Sequence, residues 1–176
     1  RSPYAVSKLA AEGYLRVMGI RWGIETVSLR IFNAYGPGQQ LPAAHPPVIP
    51  SFLRHALRGG SLVVNGDGAQ TRDYIYIDDV VSALIAAATA ANVDQKVINV
   101  GSGVETSVNG LIEAISMALG RSITPLYVRN QDAGVSRMCA DLRLAAELLG
   151  FRPKIGLAEG LALTLERDPR FAFAAR

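Results

Sequence analysis

Residues 2–38 read SPYAVSKLAAEGYLRVMGIRWGIETVSLRIFNAYGPG, and the stretch spells out a helix, a strand and a turn in that order. Ser2 is a good N-cap, and Pro3 suits the first helical position, where its missing N–H would be unpaired anyway. Apolar residues recur at Val6, Leu9, Ala10, Tyr14 and Val17 with a helical period, and Gly19 offers a stop. A helix over Pro3–Met18 is expected. Thr26–Phe32 is a β-branched and apolar run that ends at Asn33, and Gly36-Pro37-Gly38 then makes a turn.

The alternation continues along the chain. A proline-studded loop leads to a helix over Ser51–Leu57, closed by Gly59-Gly60. Short strands are expected at Leu62–Val64 and Tyr74–Ile77, then a helix over Asp79–Ala90 with an aspartate cap. Lys96–Val100 reads as a buried strand, Val108–Leu119 as a helix ending at Gly120, and Thr124–Val128 as a strand. Helices near Leu142–Leu149 and Leu157–Glu166 follow, and the tail Asp168–Arg176 is expected to fray. Strands alternating with helices predict an α/β domain with parallel pairing.

Composition narrows the function classes. The 176 residues are 49% hydrophobic and 19% charged, as in a globular chain able to bury a core. The longest apolar stretch, Val80–Val93, is too short and too mixed to span a membrane. The net charge of +3 comes mostly from arginines scattered along the chain, not from the clustered basic face of a nucleic-acid binder. Scattered arginines suit single phosphate or diphosphate groups. His45 and His55 lack ligand-spaced partners, so no metal site is expected. Cys139 is the one cysteine, which fits a reducing cytoplasm.

Tyr4 and Lys8 stand four residues apart and share one helix face. A free tyrosine, with a pKa of about 10, is a poor base at neutral pH. A nearby ammonium favours the phenolate. A tyrosine so placed can exchange a proton with a substrate hydroxyl. The bland alternative is an ordinary surface pair.

SPYAVSK, LRIFNAYGPG, VIPSF, GDGAQTRDYIYIDDV and VINVGSG occur in this order. In these pieces the chain resembles the extended short-chain dehydrogenase/reductases, specifically the NAD-dependent nucleotide-sugar epimerases and dehydratases, from Ser2 to about Leu165. The resemblance implies a fold: the C-terminal part of a Rossmann-type doubly wound sheet plus a small α/β substrate-binding domain. Residues 1–36 would end the dinucleotide-binding domain. Residues 37–176 would be mainly the substrate domain, with about 74–103 returning to the Rossmann side. No G-x-x-G-x-x-G loop occurs, so the chain looks like the C-terminal half of a longer enzyme, inactive as an isolated piece.

The same resemblance implies site residues. Tyr4 would be the catalytic acid/base, and Lys8 would hold the nicotinamide ribose of NAD. Backbone near Phe32 would lie against the nicotinamide. Asn33 and Arg72 would hold the substrate diphosphate or sugar. Val48 and Asn65 would contact the nucleotide base. Arg129 and Asp132 fit a further diphosphate and sugar motif when read from the left. The segment there is two residues longer than usual, which leaves Arg137 as a substitute for Arg129. For Arg72 the local alternative is a salt bridge to Asp67 or Asp73.

The expected activity is epimerisation at C4 of a UDP-sugar through a transient 4-keto sugar, in a cytoplasmic homodimer. Two alternatives stay open. One is a 4,6-dehydratase, decarboxylase or reductase of the same family. The other is a non-catalytic nucleotide-sugar-binding remnant.

Overall fold

A computed structural model describes residues 2–128 and 135–172. Helix α1 (Pro3–Trp22) leads to strand β1 (Val27–Ile31) and then β2 (Asn33–Tyr35). Helix α2 (Val48–Leu57), strands β3 (Leu62–Asn65) and β4 (Thr71–Tyr76), and helix α3 (Ile77–Thr89) follow. Next come β5 (Lys96–Val100), β6 (Glu105–Ser107), α4 (Val108–Leu119) and β7 (Pro125–Val128), then α5 (Arg143–Leu149), α6 (Leu157–Arg167) and α7 (Pro169–Ala172). β1 pairs parallel with β5, β2 parallel with β4, and β3 parallel with β7, while β6 runs antiparallel to β4. The fold is α/β with parallel sheets.

β4 organises the packing. Its side chains alternate between faces, as in any strand. Tyr74 and Tyr76 enter one core with Phe52, Leu53, Leu62, Leu111, Leu161 and Phe171. Ile75 enters the other with Val80, Ile98, Val100, Ala145 and Phe151. A strand buried on both faces reads as a continuous run instead of an alternation, which is why Asp73 to Tyr76 are all buried.

Several sequence expectations change. α1 runs through Gly19 to Trp22 and is capped by Gly23 at φ 62°. Gly19 serves close approach instead of termination, because a Cβ there would meet Ile24 O at 2.8 Å and Thr26 Cγ2 at 2.9 Å. The apolar period of α1 does not face a core: Val6, Leu9, Tyr14 and Val17 are exposed, and Gly19 is its buried residue. Asn33–Tyr35 extends as a strand where a loop was expected, because Thr71–Tyr76 supplies the pairing. α2 starts at Val48, three residues early.

Asp79 does not cap its own helix, which begins at Ile77. Its buried carboxylate accepts the backbone N–H groups of Lys154 and Ile155, each at 3.0 Å, and so fixes the approach to α6. The tail does not fray as far as Ala172. Phe171 is 2% exposed, and burying such a side chain stabilises by about 1.5–3 kcal/mol.

Asp168 holds that tail down. It accepts from Gly38 N at 2.8 Å and from Arg170 Nε at 2.9 Å. The Arg170 guanidinium, helped by the Gly38 N–H and opposed by burial, lowers its carboxyl from 3.8 to about 2. A depressed carboxyl stabilises the fold fully above its unfolded value, and the gain disappears as pH falls to the folded one. Asp168→Asn is expected to be less stable than the parent at neutral pH, with the gap narrowing between about pH 4 and about pH 2. Urea unfolding across that window checks this, and a constant gap would contradict it.

Candidate active site

Ser2 caps α1, its Oγ accepting from Ala5 N at 3.2 Å, and Pro3 occupies the first turn. This local chemistry fixes the helix start and thus the position of Tyr4. Tyr4 is 70% exposed. The Lys8 ammonium lies over its ring, 5.5 Å from the centroid. The i, i+4 spacing therefore brings the two together as expected. One turn further on, Glu12 accepts two bonds from Arg30 of β1, at 2.9 and 2.8 Å. The Arg30 hydrogen bonds hold the Glu12 carboxyl below its usual range.

β1 ends where the chain changes sheets. Phe32 N still donates to Val100 O of β5 at 2.9 Å, while Asn33 already pairs with Tyr74 of β4. Phe32 is half-buried and Asn33 is exposed at this junction. The C-terminal ends of parallel strands are where open α/β sheets bind ligands. A cavity of about 210 Å³ follows along the chain, lined by Ala34, Gly36, Pro37, Gln39 and Ile77 among others but not by Asn33.

Arg72 stands two residues before Tyr74 on β4. It forms neither of the local salt bridges considered above. Its Nη1 donates instead to the carbonyls of Thr71 at 2.7 Å and Val135 at 2.6 Å. Burial pushes the Tyr74 phenol up to about 12, opposed by the Arg72 charge. Asn65 is exposed at the end of β3 and pairs with Val128 of β7. Asn65 and Arg72 thus grip residues 128 and 135, on either side of Arg129 and Asp132. Those two residues, both expected to contact substrate, lie outside the described residues. Arg137, their possible substitute, is engaged by Glu105. Val48 is half-buried as the first residue of α2.

The structure ties Asn33 to Arg72 through the β2–β4 pair, and Tyr4 and Lys8 to β1 through Glu12. It does not gather all of them around one cavity. A second cavity of about 300 Å³ lies under α1 against Ser28 and Lys96. Neither it nor the cavity at Ala34 is lined by Tyr4, Lys8, Phe32, Asn33, Val48, Asn65 or Arg72.

Sequence reasoning passed over Asp73, reading it only as a possible ion partner of Arg72. It is 0% exposed. Its carboxylate accepts from Ser102 N at 2.6 Å, Ser102 Oγ at 2.7 Å, and Gly103 N and Ala140 N at 3.0 Å each. A Cβ on Gly101 would meet Asp73 Oδ2 at 2.6 Å, so the turn needs glycine to close on the carboxylate. The glycine pair Gly101/Gly103 was the available signal.

Among the described residues, no three His, Cys, Asp or Glu side chains group as metal ligands, and no helix is long and apolar enough to cross a membrane.

Residues 1–101 match the NAD dependent epimerase/dehydratase family. The chain is 38% identical to a UDP-glucose 4-epimerase of Mycolicibacterium smegmatis, over 94% of this chain and 52% of that protein. It is 35% identical to UDP-glucuronic acid decarboxylase 3 of Arabidopsis thaliana, over 97% of this chain and 48% of that protein. Its fold matches the crystal structure of the Thermotoga maritima UDP-glucose 4-epimerase with UDP-glucose at a TM-score of 0.87 and 37% identity, covering 94% of this chain and 53% of that one. The chain spans about half the length of the relatives it matches.

Proposed function

The chain belongs to the NAD dependent epimerase/dehydratase family, and from that premise we propose that it is the C-terminal portion of a nucleotide-sugar 4-epimerase acting on a UDP-sugar. The observation that carries this reading is the exposed Tyr4–Lys8 pair on α1, fastened to the strand that delivers Asn33. Likeness to UDP-glucose 4-epimerases in sequence and fold supports the same assignment.

The donor set on α1 fits the nicotinamide-ribose end of NAD. Lys8 presents an ammonium with three N–H donors, Tyr4 a phenol beside it, and the Phe32–Asn33 backbone lies at the strand ends. NAD supplies the hydride acceptor and donor. Tyr4 takes the proton of the sugar 4-hydroxyl as the C4 hydrogen departs, and returns a proton to the oxygen when hydride comes back to the other face. Arg72 and Asn33 hold the diphosphate, the part that does not react, so that the sugar turns over about a fixed anchor. Val48 and Asn65 contact the base, and Arg129 and Asp132 supply further polar contacts to the substrate.

β1, β5 and the core around Ile75 form the end of the cofactor domain, and the core around Leu53 and Leu111 belongs to the substrate domain. The working enzyme is a cytoplasmic homodimer. The exposed apolar residues of α1 mark an interaction surface, for the remainder of the full-length protein or for a second copy. With no glycine-rich phosphate loop in its sequence, the isolated 176-residue piece is inactive.

A second reading, a nucleotide-sugar decarboxylase, is favoured by the likeness to the Arabidopsis enzyme. The full-length protein incubated separately with UDP-glucose and UDP-glucuronate separates the two. NMR of the products is expected to show the C4 epimer with all carbons retained. Carbon dioxide release and a UDP-pentose would overturn the epimerase reading in favour of the decarboxylase.

A further inference from the structure

We propose that Glu12 and Arg30 form a positioning clamp that sets where Tyr4 and Lys8 stand relative to the strand end at Asn33. The proposal rests on the functional reading above. Tyr4, Lys8 and Glu12 follow one another at four-residue steps, so they are successive rungs on one side of α1. Arg30 lies three residues before Asn33 on the strand that runs into it. The clamp therefore links the element carrying the proton-transfer group to the element carrying a substrate-holding group.

The geometry is that of an oriented pair. Arg30 donates from both Nε and Nη2 to the two Glu12 oxygens, at 2.9 and 2.8 Å. A fork of this kind fixes angle as well as distance, which a single lysine contact does not. Among the described residues, this is the side-chain hydrogen-bonded link from α1 to a strand. The helix is otherwise seated, among the described residues, near its far end, where Gly19 meets Ile24 and Thr26.

Leverage makes the pair matter. At 1.5 Å per residue, Tyr4 stands roughly 22 Å from the Gly19 seat and roughly 12 Å from Glu12. A tilt of about 3° about Gly19 moves Tyr4 by about 1 Å, and a misplacement of that size costs on the order of 100-fold in rate. The pair itself is partly exposed, at 55% and 21%, and exposed ion pairs add little to stability. Its effect should thus appear in catalysis and not in unfolding.

The test uses the full-length enzyme with Arg30→Gln, Arg30→Lys, the swapped double variant Glu12→Arg/Arg30→Glu, and Tyr4→Phe as a control. Arg30→Gln is expected to lower kcat by about 10- to 100-fold, with KM within about twofold and the thermal midpoint unchanged. Arg30→Lys should be impaired too, because it keeps charge without the fork. The swap should recover most of the lost kcat. An unchanged kcat in Arg30→Gln, a loss confined to KM, or a midpoint that falls in step with activity would overturn the clamp while leaving the epimerase reading intact. Full turnover in Tyr4→Phe would instead overturn the underlying reading, and the clamp with it.

Discussion

Tyr4→Phe in the full-length protein is expected to lower kcat by about 10²- to 10⁴-fold, the range for removing a positioned general acid–base. The substitution deletes one oxygen and nothing else. The aromatic ring remains under the Lys8 ammonium, so that contact at 5.5 Å is kept. In the 176-residue chain Tyr4 is 70% exposed, so unfolding of this chain should move by no more than about 0.5 kcal/mol, as for most surface substitutions. KM should change little, because the substitution leaves untouched Asn33 and Arg72, the residues proposed to hold the diphosphate. A loss of kcat with stability and KM preserved is the signature of a group acting on the reacting atoms. Wild-type kcat in this variant would remove Tyr4 from the chemistry.

Asp73→Ala is expected to be strongly destabilising, by roughly 3–5 kcal/mol. The carboxylate accepts the N–H groups of Ser102, Gly103 and Ala140 and the Ser102 hydroxyl from a fully buried position. Removing it leaves the buried Ala140 N–H and the part-buried N–H groups of Ser102 and Gly103 without their acceptor, and a buried donor left unsatisfied costs about 1–3 kcal/mol. The loss also frees the turn that Gly101 permits and the Ala140 segment that leads towards α5. Arg72 is the next residue on β4, so substrate affinity should fall as well. Asp73→Asn, which keeps one acceptor oxygen, should lose less. Urea unfolding of both variants checks the ranking. Equal stability of Asp73→Ala and the parent would mean that the network contributes nothing.

The parts that were legible in the sequence are those set by near neighbours. Ser2 and Pro3 announce the start of α1, and four-residue spacing alone places Lys8 beside Tyr4. The parts that were not legible depend on distant partners. Gly19 reads as a stop, but Thr26 and Ile24 fold back against it and the helix continues. Asn33–Tyr35 reads as the mouth of a loop, and becomes a strand because β4, some forty residues later, offers an edge. Asp79 looks like a local cap, and is drawn instead to the N–H groups of Lys154 and Ile155. Phe171 lies in a tail of alanine and arginine, yet fills a gap in the core beside α2 and α6. The motif around Arg72 was readable by resemblance. The buried anchor next to it, Asp73, was not, since its partners lie 29, 30 and 67 residues away.

The central claim is that a UDP-sugar is oxidised and re-reduced at C4 with the same hydrogen. The measurement that tests it most directly is epimerisation of C4-deuterated UDP-glucose by the full-length protein in ordinary water. The expected result is UDP-galactose carrying the deuterium at C4, because on this account the hydrogen that leaves C4 is the one that returns, while only the hydroxyl proton passes through Tyr4. A C4 epimer that has lost its deuterium to solvent, or no epimer at all, would contradict the account.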